Sequence, residues 1–367
     1  MGLNSRINRI VFPLRDKRIK RRVIIIESDD WGSIRVPSRD IYYQLVNDGY
    51  NAKRTYSIDS LERPKDLICL FDVLNKFRDS NNNPPVFTAN TLVANPDFEK
   101  IKESGFKTYN YELLPDTYIK YCDGEDMFSI IKKGIDLGVW YPQSHGREHF
   151  NIPYWLSLLR QGDKDMLYAF NHNMCGIYPR TNPSYGNKCL IAYNAIHSEW
   201  NKFYVEAVRD GLHIFRNLFK YSSKTFIPPA YTWNNDIETV LSEEGVELIQ
   251  SGRVQHIATN IKKRIYHYIG ERNQFAQLYS VRNCTFEPAA VQSKTLLLKN
   301  ILKQVDNLFL HHRPVIISSH RVNYIGSISE SNRSENLELL GYFLDSVLRK
   351  YPDVEFLTSE ELIDIVK

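Results

Sequence analysis

Two short stretches of the 367-residue chain hold side chains able to do chemistry together. PQSHGREHFNIP carries His145 and His149 four residues apart, a spacing at which two imidazoles can face one metal ion. ESDDWG sets the adjacent carboxylates Asp29 and Asp30 directly after an apolar run. One carboxylate and two imidazoles, with water in the fourth position, form an accepted catalytic zinc set. Asp30, His145 and His149 supply it, so a divalent ion, zinc by preference, is the expected cofactor. Such an ion lowers the pKa of its bound water towards ~7 and polarises a carbonyl. Successive side chains of a strand leave it on opposite sides. Asp29 is therefore free to act as the base while Asp30 ligates.

The histidine pair also spells H-x-x-E-H, the inverted zinc-protease signature, in which both histidines lie on one helix and Glu148 is the general base. Gly146 inside the motif, Pro142 before it and Pro153 after it argue for a loop or single turn instead. A bland alternative is a pair of surface histidines.

Strands must place these groups. VIIIES (23–28), VFTAN (86–90), VWYPQS (139–144), KTFIPP (224–229), PVIISSH (314–320) and VEFLTS (354–359) read as buried strands. Helical periodicity fills residues 61–79, 153–171, 192–219, 234–245, 293–312 and 333–350. Strands alternating with helices imply parallel strands and right-handed crossovers. The expected class is α/β, either a barrel or a doubly wound sheet. Nearly every strand ends in polar residues, which is where α/β barrels keep their chemistry. The organisation expected is a basic N-terminal arm (1–21) and a single catalytic domain (22–367) with insertions near 101–137 and 256–282.

ESDDWG after a buried strand, then SHGREH, FIPPAYTWN and VIISSHRVNY, resembles the polysaccharide deacetylase family, the NodB-homology group of metal-dependent sugar deacetylases. The motif order agrees along roughly residues 22 to 360. The resemblance implies a distorted (β/α) barrel of about seven strands. It implies Asp29 as base, Asp30, His145 and His149 as metal ligands, and His320 as general acid. Departures are visible. Trp31 stands where the family has Gly, Gly146 where it has Ser or Thr, and the Arg of its Arg-x-Pro-Tyr segment is missing from IPPAY (227–231). Arg35 and Arg282 are the candidates to hold Asp29 instead, and Glu287 to tune His320. Trp31, Tyr231 and Trp233 are candidate walls for a sugar ring, and backbone N–H groups near Ala230 and Tyr231 candidate oxyanion donors.

The implied activity is removal of an acetyl group from an N-acetylated sugar. A zinc peptidase, a sugar O-acetyl esterase and a catalytically silent carbohydrate-binding relative stay open beside it. The peptidase would make Glu148 essential; the silent relative would have no use for Asp29 and His320 together.

Composition narrows the rest. With 43% hydrophobic and 25% charged residues the chain is that of a globular protein, and a net charge of +4 without a basic, aromatic-studded helix gives no sign of nucleic acid. Five scattered cysteines form no C-x-x-C pair. With no signal peptide or membrane-length apolar run visible, a cytoplasmic location is expected. Residues 6–22 hold eight basic groups against one acidic, read as a solvated arm or a patch for peripheral contact with anionic lipid.

Overall fold

The computed structural model describes residue 11 and residues 13–50, 55–177, 189–257 and 260–367. Its strands are β1 (Arg22–Trp31), β2 (Phe87–Thr91), β3 (Ala94–Pro96), β4 (Tyr111–Leu113), β5 (Trp140–Ser144), β6 (Thr225–Phe226), β7 (Thr232–Trp233), β8 (Leu248–Ser251), β9 (Val254–Ile257), β10 (Asn260–Tyr266), β11 (Leu278–Val281), β12 (Cys284–Thr285), β13 (Val315–His320) and β14 (Val354–Leu357). The main sheet runs β11-β8-β6-β5-β2-β1-β13-β12, with β14 paired to β1. Every pairing in it is parallel.

Its two ends are one stretch of chain. Only Arg282 and Asn283 separate β11 from β12, and two residues cannot hold the strand ends more than ~11 Å apart. The Arg282 N–H donates to the Ser251 carbonyl on one edge, and the Asn283 N–H to the Ile316 carbonyl on the other. The sheet therefore curls into a distorted (β/α) barrel of seven positions, β11 and β12 sharing one.

Burial along β1 shows how the barrel is filled. Ile24 and Ile26 point outward, clustering with helix residues such as Leu70, Leu340 and Phe343. Val23 and Ile25 point inward, onto Leu248, Leu278, Ile316 and Leu357 from other strands and Leu362 and Ile363 of the helix Ser359–Val366. That helix seals the floor. One step higher the filling turns polar: Glu27 accepts from Ser359 Oγ at 2.8 Å, and the Ser359 N–H donates to Thr88 Oγ1 at 2.9 Å. Buried polar groups need such partners. Above this layer the strand ends open into the site.

Two expected boundaries change. The piece 256–282 ends in β11, a barrel strand, so only its earlier part, with β10 on β9, stands outside the barrel. The piece 101–137 includes the helix Met127–Asp136, which leads into β5 and so serves as a crossover. The expected N-terminal arm falls partly on residues 1–10 and 12, outside the described residues. Its later part is docked: Asp16 is buried and accepts from Arg253 Nη1 at 2.6 Å, and Arg21 and Arg22 pair with Glu355 and Asp353. Among the described residues, no helix is long and apolar enough to cross a membrane.

Candidate metal centre and catalytic pair

The site begins with an irregularity in β1. Its register against β2 shifts between Ser28 and Trp31, and Asp30 has φ 74°, in the left-handed region. A bulge of this kind re-aims side chains. Asp29 and Asp30 were expected on opposite sides of the strand; both instead line one cavity at the barrel mouth. Trp31 is turned the other way, into the core against Trp140 and Tyr324. It is fully buried, so the expectation of a sugar-stacking wall there is corrected. Trp233 is corrected likewise: it is buried, donates to Glu238 Oε1 at 2.8 Å and stacks on His267.

Asp30, His145 and His149 converge. His145 Nε2 lies 3.6 Å and His149 Nε2 3.5 Å from Asp30 Oδ1. These separations are too long for good hydrogen bonds. They are close to the ~3.4 Å expected between tetrahedral ligand atoms each ~2.1 Å from one ion. His145 Nδ1 sits 2.9 Å from the Ile227 carbonyl, which can only accept, so Nδ1 carries the hydrogen and Nε2 presents its lone pair. That Nε2 is buried without a hydrogen-bond partner, and so is His149 Nδ1, the nitrogen of that ring other than the one 3.5 Å from Asp30. Burial pushes His149 down to about 3, keeping it neutral, as a metal ligand must be. The donor set, with His145 Nε2 unpartnered, fits a divalent ion.

The 145–149 segment is a loop, as Gly146 foretold. Gly146 has φ 100°, and a Cβ there would stand 2.5 Å from the Tyr193 hydroxyl, which accounts for the missing Ser or Thr. Glu148 is buried and accepts from Arg147 Nε at 2.7 Å, while Arg147 Nη1 reaches Asp210. The helix required by the peptidase reading is absent from this segment.

Asp29 is tethered on a different side. Arg282 grips it with two bonds of 2.6 Å, and Asn90 Nδ2 adds a third at 2.8 Å. Burial favours the neutral acid, but the guanidinium outweighs it and holds the carboxyl far below the usual range. Of the two candidate arginines, Arg282 therefore holds Asp29. Arg35 instead touches Asp30 at 3.3 Å and Asp59 at 3.6 Å. Glu27 accepts from Arg282 Nε at 2.6 Å and fixes its orientation.

His320 is in register with Asp29 across β13 and β1, its Nε2 3.8 Å from Asp29 Oδ2. Its Nδ1 meets Glu287 Oε1 at 2.6 Å, and Asn323 Nδ2 holds the other carboxylate oxygen at 2.7 Å. Burial opposes the charged ring, but Glu287 and then Asp29 outweigh it and raise the imidazole to about 9. Ala230 and Tyr231 line the cavity with left-handed backbones. The Tyr231 N–H is spent on the Pro228 carbonyl at 3.0 Å, which leaves that of Ala230 as the candidate oxyanion donor.

Asn90 and Gln250, whose Oε1 accepts from Asn90 Nδ2 at 2.8 Å, were not anticipated, although the polar end of β2 pointed towards the first. Nor was Arg321, buried beside His320 and paired with Asp59 at 3.0 Å and Glu62 at 2.9 Å. Tyr56, edge-on to the His320 ring at 5.8 Å, carries no motif.

No protein-family model and no curated protein sequence matches the chain. Solved structures do. A Mycobacterium smegmatis protein described as a polysaccharide deacetylase is similar over 95% of this chain and 91% of its own, at 8% identity and a TM-score of 0.46. A Pseudomonas aeruginosa PAO1 protein so described covers 94% and 90%, at 9% identity and 0.45. The 4-alpha-glucanotransferase of Thermococcus litoralis matches 94% of this chain but 40% of its own, at 9% identity and 0.43. At these values nothing about activity transfers from them.

Proposed function

We propose that the chain is a metal-dependent hydrolase of carbon–nitrogen amide bonds that removes an acetyl group from an N-acetylated sugar. The observation that carries the hydrolase reading is a three-ligand cluster with an unpartnered donor atom on His145 beside a carboxylate held ionised and a histidine held protonated. The sugar follows from the motif resemblance.

When bound, the ion, zinc by donor set, would polarise the scissile carbonyl and acidify water. Asp29, fixed by Arg282 and Asn90, takes the proton of the attacking water on Oδ2, the oxygen that faces His320. The Ala230 N–H lies on the cavity wall as a donor to the developing oxyanion. His320 keeps Nδ1–H on Glu287 and carries its transferable proton on Nε2. It gives that proton to the departing nitrogen, which cannot leave as an anion.

The test is acetate release from N-acetylglucosamine oligosaccharides by zinc-loaded protein, wild type beside Glu148→Gln. Retention of most activity in the variant is expected, since Glu148 faces Arg147. Loss of activity in the variant, with peptides hydrolysed by the wild type, would establish the peptidase instead.

A further inference from the structure

The cavity above the cluster has a volume of about 310 Å³, at the small end of ligand sites. Its walls are out of keeping with a sugar polymer. Ile34, Val36, Leu45, Met174 and Ile177 line it, from the segment after β1, the helix Arg39–Asn47 and the residues just after the helix Lys164–Asn171, with Leu190 from further along the chain. Most of its polar lining is already committed. Both Asp29 oxygens are bound to Arg282, His145 to Ile227, His320 to Glu287, and Arg35 to Asp30 and Asp59. The Tyr50 hydroxyl donates to Asp165 at 2.9 Å, and Tyr231 is 3.5 Å from Arg282. Beyond the ring nitrogens of the histidines, Arg35 Nε, which has no hydrogen-bond partner, and the Tyr42 and Tyr56 hydroxyls are what remain for a ligand among the described residues.

A sugar ring brings several hydroxyls. Each one buried without a partner weakens binding roughly 5- to 150-fold. A hydrocarbon group loses nothing in such a space and gains about fourfold per buried methylene, equivalent to about 0.8 kcal/mol. The walls thus reject bare carbohydrate and accept hydrocarbon.

We propose that the amide substrate carries an apolar hydrocarbon substituent, which fills this cavity while the amide carbonyl faces Asp30, His145 and His149. The inference rests on the amide-hydrolase reading. It converts the substrate class from a polysaccharide chain to an amide bearing a hydrophobic group. A sugar ring in such a substrate lies outward, where water serves its hydroxyls.

The experiment compares four compounds on zinc-loaded protein: N-acetylglucosamine, chitotetraose, octyl N-acetylglucosaminide below its micelle concentration, and N-octanoylglucosamine. The two octyl compounds place the chain on the amine side and the acyl side. One of them is expected to exceed N-acetylglucosamine in kcat/KM by roughly 10²-fold, the value for burying about four methylenes. The same compound should raise Tm, while chitotetraose should show no gain over the monosaccharide. Leu45→Ser and Ile177→Ser, each checked for an unaltered circular dichroism spectrum, should cut the octyl gain about tenfold. A chitotetraose preference, or no octyl gain in both rate and Tm, overturns the inference and leaves amide hydrolysis standing. If no amide is hydrolysed, the hydrolase reading fails by itself. The Tm shift with each octyl compound then decides the cavity: a rise for either supports an apolar ligand, and none for both overturns it.

Discussion

The two halves of the site are built differently. On the Asp29 and His320 side each functional group is held by a fixed partner: Arg282 and Asn90 on the carboxylate, Glu287 on Nδ1 of the ring, Glu27 behind the arginine. On the Asp30, His145 and His149 side, the His145 nitrogen that faces Asp30 is buried with none. A buried polar atom without a partner is costly. One half is thus finished by the fold, and the other only by what it binds. Under the proposed function, proton transfer falls to the first and ligation to the second.

Breaking the second half should have the largest effect. His145→Ala removes one ligand of three, so the ion and amide hydrolysis should vanish together, read by metal analysis and acetate release. Activity with metal absent would erase the contrast.

Next comes the acid. His320→Ala should slow amide deacetylation by ~10²–10⁴-fold, the usual worth of one acid–base group. An activated aryl acetate needs no proton on its leaving group and should lose far less. Equal losses on both substrates would make His320 a structural or ligating residue.

The smallest change sharpens the picture. His320 is raised from 6.5 to about 9, so its proton is present below that pH and lost above it. The kcat/KM profile should therefore fall on an alkaline limb near 9. In Glu287→Gln the limb should move down towards the ordinary histidine value, because the main support of the charged ring is gone. With Asp29 still nearby, the loss at neutral pH should stay within about tenfold, since the ring keeps part of its charge. An unmoved limb would assign it to another group.

Much of the metal half was legible because both motifs sit at ends of apolar runs, and strand ends are readable from sequence. β1, β2, β5 and β13 follow VIIIES, VFTAN, VWYPQS and PVIISSH closely. β11 and β12 were missed: LYSV and CT are short and mixed in character, yet they close the barrel. That closure decides between Arg35 and Arg282, since Arg282 reaches Asp29 only because its segment returns beside β13. Trp31 was misread because nothing local reveals the bulge at Asp30 that sends it to the core. The apolar cavity was invisible for a similar reason: its walls come from separate segments that carry no motif.

The central claim is the division of labour between adjacent carboxylates, and Asp29→Asn tests it most directly. Zinc content and acetate release should be measured on the same sample of purified variant. The account predicts about one ion per chain, as in the wild type, with turnover down by ~10²–10⁴-fold. Loss of the ion along with activity would contradict it, making Asp29 a ligand and dissolving the distinction between the two halves.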